Sequence, residues 1–352
     1  MPLEVAVMTS GALGVPASDA APHPREVLLG AQAAAVVLPV CDHYCGVEDR
    51  MRKSLQLQAE MLDEYGACVF DVTLDCEDGA PVGAEAAHVR LVARLAHETP
   101  PGQRVAVRVH AVDHPSFVDD MAVVAGELAS RLCHVMVPKV EGPQDIDRVC
   151  ESLDRYGASQ LPVHALIESP SAVHQAFAIA AHPRVQSLSF GLMDFVSAHA
   201  GAIPSSAMGV AGQFQHALVV HAKLEIASAC HANGKVPSHC VVTEFRDHAA
   251  LSLAACKASQ EFGYTRMWSI HPTQIRPIVE AFAPTSDEIH AATEVLVAAA
   301  HAAWAPISVG GTLHDRASYR YFWQVLERAH QTGRVLPTAV QGWFATNPVA
   351  VP

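Results

Sequence analysis

Residues 134–142 (HVMVPKVEG), 163–170 (VHALIESP) and 187–194 (SLSFGLMD) share one pattern: a short apolar run that ends on a charged side chain. Runs this brief, bounded by Pro or Gly, read as strands rather than helices. They are apolar on both alternating positions, as expected of parallel strands buried on both faces. Working outward, further short apolar, β-branched runs occur at 35–41 (AVVLPVC), 67–75 (ACVFDVTLD), 104–110 (RVAVRVH), 238–242 (SHCVV) and 266–271 (RMWSIH). Most intervals are about 30 residues, the length of one βα unit.

Helical periods lie between the runs. Phe117, Met121, Val124 and Leu128 repeat at three and four, as do Ile146, Val149 and Leu153. Gly66 and Gly234 are placed as helix stops, and the long connection 205–234 has room for an extra helix. Eight strands alternating with helices predict a (β/α)8 TIM barrel. An open doubly wound sheet is the competing arrangement, but the chain has neither GxGxxG nor GxxxxGK[ST]. The expected organisation is an N-terminal extension (1–30), the barrel (31–282) and a C-terminal helical extension (283–352). In the last part Thr285 and Glu288 form a capping-box pattern, and Tyr319, Phe322, Val325, Leu326 and Ala329 mark a second helix ending near Gly333.

Composition narrows the partners. Of 352 residues 50% are hydrophobic and 17% charged, with 23 Lys+Arg against 36 Asp+Glu and a net charge of −13. Nucleic acid and anionic membranes need clustered cations, so neither is expected. A local basic pocket for an anionic substrate is still compatible with these counts. Nine cysteines, an odd number scattered among apolar neighbours, read as buried thiols of a reducing compartment. With no apolar run near 18 residues and no secretory leader pattern, a cytoplasmic location is expected.

A barrel of this kind carries its active site at the C-terminal ends of its strands. Polar residues collect there: Asp75-Cys76-Glu77-Asp78-Gly79 after the second strand, Arg108 and His110 on the third, Lys139 and Glu141 after the fourth, Glu168 after the fifth and Asp194 after the sixth. One such acid is adequately explained as a helix cap. The whole set, in a chain sparing with charge, points to an oxygen-only metal site. Glu168 and Asp194 follow neighbouring strands and would converge, with Glu77 and Asp78 nearby, a donor set suited to Mg²⁺.

The runs LDCEDG (74–79), VAVRVH (105–110), VPKVEG (137–142), ALIESP (165–170), SFGLMD (189–194) and SIHPTQI (269–275) occur in one order. Together they resemble the motifs of the HpcH/HpaI aldolase and citrate lyase β-subunit family, which includes malyl-CoA lyase-like enzymes, over roughly residues 67–330. The resemblance implies a Mg²⁺-dependent carbon–carbon lyase (Mn²⁺ as the substitute ion), built as a homotrimer or homohexamer, that joins or separates a small 2-oxo acid and an acyl enolate. It implies Glu168 and Asp194 as metal ligands, with Glu77 and Asp78 holding metal-bound waters. Arg108 would pair with the 2-oxo acid carboxylate, and Gly191, Met193 and Asp194 would offer the turn that receives it. Asp315, in the stretch Gly311-Thr312-Leu313-His314-Asp315, would be a proton-transfer group reaching a neighbouring subunit's site.

The chain departs from the family at positions associated with the acyl end. Residues 38–46 (LPVCDHYCG) replace an Arg-Ser pair leading to Pro-Gly, and Arg266-Met267 replace Gly-Lys; His110, in place of Asn, is a separate change close to the chemistry. A CoA thioester is therefore one option for the acyl half, not a requirement. Two alternatives stand beside the lyase: a thioester hydrolase on the same scaffold and a non-catalytic metabolite-binding barrel. A Schiff base on Lys139 is disfavoured by an expected ion pair with Glu141. Zinc at Cys41-Asp42-His43-Tyr44-Cys45 is disfavoured because no second Cys/His pair stands at zinc-site spacing.

Overall fold

The structure, a computed structural model, describes residues 22–34 and 37–345. Eight parallel strands close into a barrel: β1 (Cys41–Cys45), β2 (Phe70–Asp75), β3 (Val105–Arg108), β4 (His134–Val137), β5 (Val163–Ile167), β6 (Val185–Phe190), β7 (Val236–His239) and β8 (Arg266–Ser269). β1 pairs with both β2 and β8, so no strand edge is left open. Helices intervene between successive strands, as the apolar periods predict. Gly66 ends the helix Glu48–Tyr65 at φ 63°, and Gly234 at φ 64° follows the helix Ala217–Ala232 in the 205–234 connection.

Two expected strands lie elsewhere. The run 35–41 was expected to be the first strand, yet β1 begins where that run stops; residues 35–36 fall outside the described part. β7 starts two residues before the run at 238–242 and ends at His239. β1 has the polar sequence CDHYC, and four of its five residues, all but Tyr44, are nonetheless buried. Polarity hid it, because the barrel supplies partners that a sequence window does not show.

Those partners form a buried ionic layer near the N-terminal ends of the strands. Arg104 Nε lies 2.5 Å and Arg266 Nη2 2.6 Å from the two oxygens of Asp71. Arg266 Nη2 also lies 2.9 Å from Asp42 Oδ2, while Thr73 donates to Asp42 Oδ1 at 2.6 Å. All four charged groups are buried, so each charge needs the others. His134 and His164 join the layer with their rings stacked 3.6 Å apart. Asp42, His134 and His164 place donor atoms within 4.8 Å of one another. The near-parallel rings do not aim their lone pairs at one point, however, and Arg266 already neutralises Asp42. Above this layer Tyr44, Met136, Leu166, Val241 and Trp268 form a small apolar cluster from strands across the barrel, which places it in the barrel interior.

A second apolar core lies outside the barrel. It combines the helices Ser286–His301, Arg316–Gln331 and Thr338–Gln341 with the N-terminal helix Pro24–Leu29, through Leu28, Leu296, Tyr319 and Trp323. Of the expected N-terminal extension (1–30), residues 1–21 lie outside the described part, and the rest contributes this helix, tied by Arg25 Nε to Glu327 at 3.0 Å. The Thr285–Glu288 capping box is present. A short hairpin, β9 (Ile307–Val309) and β10 (Thr312–His314), leads to Asp315.

Candidate active site

Asp75, the last residue of β2, is fully buried and organises the site. Its carboxylate accepts Arg108 Nε and Nη2, both at 2.7 Å. The two residues stand in register on β2 and β3, so the pairing follows from the barrel's hydrogen-bond ladder. The same carboxylate accepts the N–H groups of Glu77 at 3.0 Å and Gly79 at 2.7 Å, folding the loop back over the strand end. A Cβ at position 79 would lie 2.2 Å from Asp75 Oδ2, so this turn requires glycine.

Arg108 is held on three sides. Asp75 takes its Nε–Nη2 edge, Glu77 Oε2 lies 2.9 Å from Nη1, and the Tyr44 ring centroid is 4.2 Å from its Cζ. Two of its five N–H groups are left for an incoming anion. Burial opposes the charge, but Tyr44, Asp75 and Glu77 hold the guanidinium firmly protonated.

Lys139, after β4, reaches Glu77 and lies 3.2 Å from Asp78. The expected pair with Glu141 is absent: Glu141 accepts from Ser169 Oγ at 2.8 Å instead. Burial alone would lower the ammonium's pKa, yet Glu77 and Asp78 more than offset it and hold the group above the usual lysine range. That argues against a neutral amine for Schiff-base chemistry. The Lys139 backbone has φ 52°, a conformation uncommon for a residue with a side chain, and its N–H donates to Glu168 Oε1 at 2.7 Å.

Glu168, just beyond β5, is 5% exposed. Its carboxyl is pushed up to about 8 by burial first and by the Asp194 charge second, against a smaller opposing effect from the Lys139 N–H and Arg108. Gly191 makes room for it. A Cβ there would stand 2.7 Å from both Cβ and Oε2 of Glu168. Asp194 lies in the first turn of the short helix Leu192–Ser197, with Met193 beside it, and both are half-buried.

The site therefore holds two sets of acids. Asp75, Glu77 and Asp78 are neutralised by Arg108 and Lys139. Glu168 and Asp194 interact electrostatically with no ion pair to a cation among the described residues, and this oxygen-only pair fits a hard divalent cation. The residues read as candidates from the sequence are brought together here, except two. His110 is turned toward the helix Phe117–Gly126, with Nδ1 2.7 Å from Asp120. Asp315 caps its own helix through the N–H groups of Ala317 and Ser318 and contacts none of the site residues. Sequence reasoning missed Asp75 as the clamp on Arg108 and Lys139 as the link between the two acid sets. Only the β2–β3 register carried a signal for the first of these.

A family model for HpcH/HpaI aldolase/citrate lyase matches residues 55–272, which include Asp75, Arg108, Glu168 and Asp194. The chain belongs to that family. Membership places it among carbon–carbon lyases. Its fold is similar to a citrate lyase from Burkholderia xenovorans LB400, with 48% identity, a TM-score of 0.78, and 92% of this chain and 100% of that one covered. It is 26% identical over 258 residues to the L-malyl-CoA/beta-methylmalyl-CoA lyase of Cereibacter sphaeroides, covering 68% of this chain and 80% of that protein. The protein CitE of Mycobacterium tuberculosis, in complex with magnesium, acetoacetate and coenzyme A, shares the fold at 22% identity and a TM-score of 0.64, covering 83% of this chain and 98% of that one.

Proposed function

We propose that this family member is a Mg²⁺-dependent lyase that makes or breaks a carbon–carbon bond between a small 2-oxo acid and an acyl enolate. The observation that carries the reading is the buried Glu168 carboxyl, raised to about 8 beside Asp194, because two acids are pressed together where a cation would relieve both. The bound magnesium of the M. tuberculosis relative supports that choice of ion, and Mn²⁺ is the substitute with similar preference for oxygen.

Glu168 and Asp194 would hold the cation, which when bound polarises the carbonyl of the 2-oxo acid. Arg108 supplies the anion-binding N–H groups, and Asp75 keeps it from swinging away, so the carboxylate is oriented without further ordering. The Gly191–Asp194 turn, including Met193, borders the same space. Glu77 and Asp78, tethered by Lys139, would accept hydrogen bonds from water around the cation. Proton transfer to or from the acyl half is assigned to Asp315 of the partner subunit in a homotrimer or homohexamer, since within one chain this acid only caps a helix.

The acyl half is read as an anionic thioester such as a CoA ester. Beyond the C-terminal ends of β1 and β8 lies a cavity of about 530 Å³ lined by Arg50, Lys53, His271 and Arg276. Arg276 is committed to Glu64, while Arg50 and Lys53 pair with no carboxylate among the described residues. Two cations without an ion pair at the rim of one cavity suit an anionic ligand.

Thermal unfolding with Mg²⁺ and glyoxylate, pyruvate or oxaloacetate tests the acid half. A shift requiring both metal and acid, absent in Glu168→Ala, is expected; a shift indifferent to metal and to Glu168 refutes the site and favours a binding barrel. Product analysis on an acyl-CoA ester then separates reactions: a free 2-oxo acid means cleavage, whereas intact hydroxy acid with free thiol means hydrolysis.

A further inference from the structure

One buried polar group beside Arg108 is not accounted for by the contacts described above. Tyr44, on β1, lays its ring against the Arg108 guanidinium at 4.2 Å and against Trp268 at 4.8 Å between centroids. Its hydroxyl is buried and has no hydrogen-bond partner among the described residues. A phenylalanine would make the same ring contacts without burying an unpaired hydroxyl, which carries a desolvation penalty.

The nearby acceptors explain why it is unpaired. The phenol lies within electrostatic reach of Asp75, Glu77 and Glu168 as well as Arg108. Asp75 is filled by Arg108 and two backbone N–H groups, Glu77 by Arg108 and Lys139, and Glu168 accepts the Lys139 N–H. Trp268, the other wall, gives its Nε1–H to Ser189 at 2.9 Å and offers no acceptor in return. Among the described residues no group takes the Tyr44 O–H, and an oxygen of a bound ligand would supply the acceptor.

We propose that Tyr44 is a substrate-binding residue, whose O–H donates to a carboxylate or carbonyl oxygen of the 2-oxo acid held by Arg108. This rests on the lyase reading and deepens it. Tyr44 and Trp268 pack ring against ring beside Arg108. The hydroxyl adds a donor that recognises oxygen there.

Isothermal calorimetry on the full chain with Mg²⁺ alone and with Mg²⁺ plus pyruvate or oxaloacetate, in wild type and Tyr44→Phe, is the test. The expected result is roughly tenfold weaker binding of the acid to Tyr44→Phe, as for loss of one well-placed hydrogen bond. Mg²⁺ affinity should be unchanged, and the ligand-free melting temperature equal or higher because the unpaired hydroxyl is gone. Equal acid affinity in the two proteins overturns the role of Tyr44, an ordered water then being its partner, while leaving the lyase reading intact. Wild type that binds none of the acids overturns both.

Discussion

Magnesium binding should expel a proton, and the structure says how much. In the metal-free protein the Glu168 carboxyl titrates at about 8 through burial and the nearby Asp194. At pH 7 about nine in ten molecules then carry the proton, whereas a metal ligand must be the carboxylate. Binding one cation at pH 7 should release about 0.9 proton, falling to about 0.1 at pH 9, while the affinity rises roughly tenfold across that range. Calorimetry at pH 7 in buffers of different protonation enthalpy measures the released proton directly, and repetition at pH 9 measures the affinity. The same displacement governs stability. A folded-state value raised from 4.5 to about 8 means that the folded protein binds more protons than the unfolded chain. The stabilisation is complete below about pH 4.5 and is lost as pH rises through 8, and it amounts to at most about 5 kcal/mol. Glu168→Gln should accordingly melt higher than wild type at pH 9, with little difference near pH 4.5, and should not bind Mg²⁺. Binding without buffer-dependent heat at pH 7, together with an affinity flat from pH 7 to 9, would refute the picture of a proton standing where the cation sits.

Other substitutions probe the supports. Gly191→Ala puts a Cβ 2.7 Å from Glu168, so Mg²⁺ affinity should fall at least about tenfold with the circular dichroism spectrum preserved; unchanged affinity would show that Glu168 can move aside. Asp71→Ala leaves Arg104 and Arg266 without their shared carboxylate and should destabilise by about 3–5 kcal/mol in urea unfolding, far more than a surface change. Treatment with pyruvate and borohydride should add no mass to Lys139, whose ammonium is held by Glu77 and Asp78; a trapped adduct would replace the metal mechanism.

Much of the architecture was legible because burial on both faces leaves a local mark. The runs at β2, β3, β4, β5, β6 and β8 stand out as apolar stretches at βα intervals, and the Gly66, Thr285 and Gly333 signals act within a turn of their positions. β1 was misplaced for the opposite reason. Asp42 is a poor core residue until Arg266, far away in sequence, arrives beside it.

The acids at the strand ends could be named from the sequence, since a barrel's topology puts every strand's C-terminal end at one mouth. Their division of labour could not. Which carboxylates are neutralised and which are left for a metal depends on where Arg108 and Lys139 point, and that is set by the β2–β3 register and by the left-handed backbone at Lys139. Tyr44 illustrates the same limit: only closure of the barrel brings its ring against Arg108 and leaves its buried hydroxyl without a partner among the described residues. The order of apolar and acidic residues along the chain determined the barrel and the location of its chemistry, because those patterns act through neighbours in sequence. Charge pairing and burial were decided by tertiary structure, because they act through space between strands that the sequence keeps far apart.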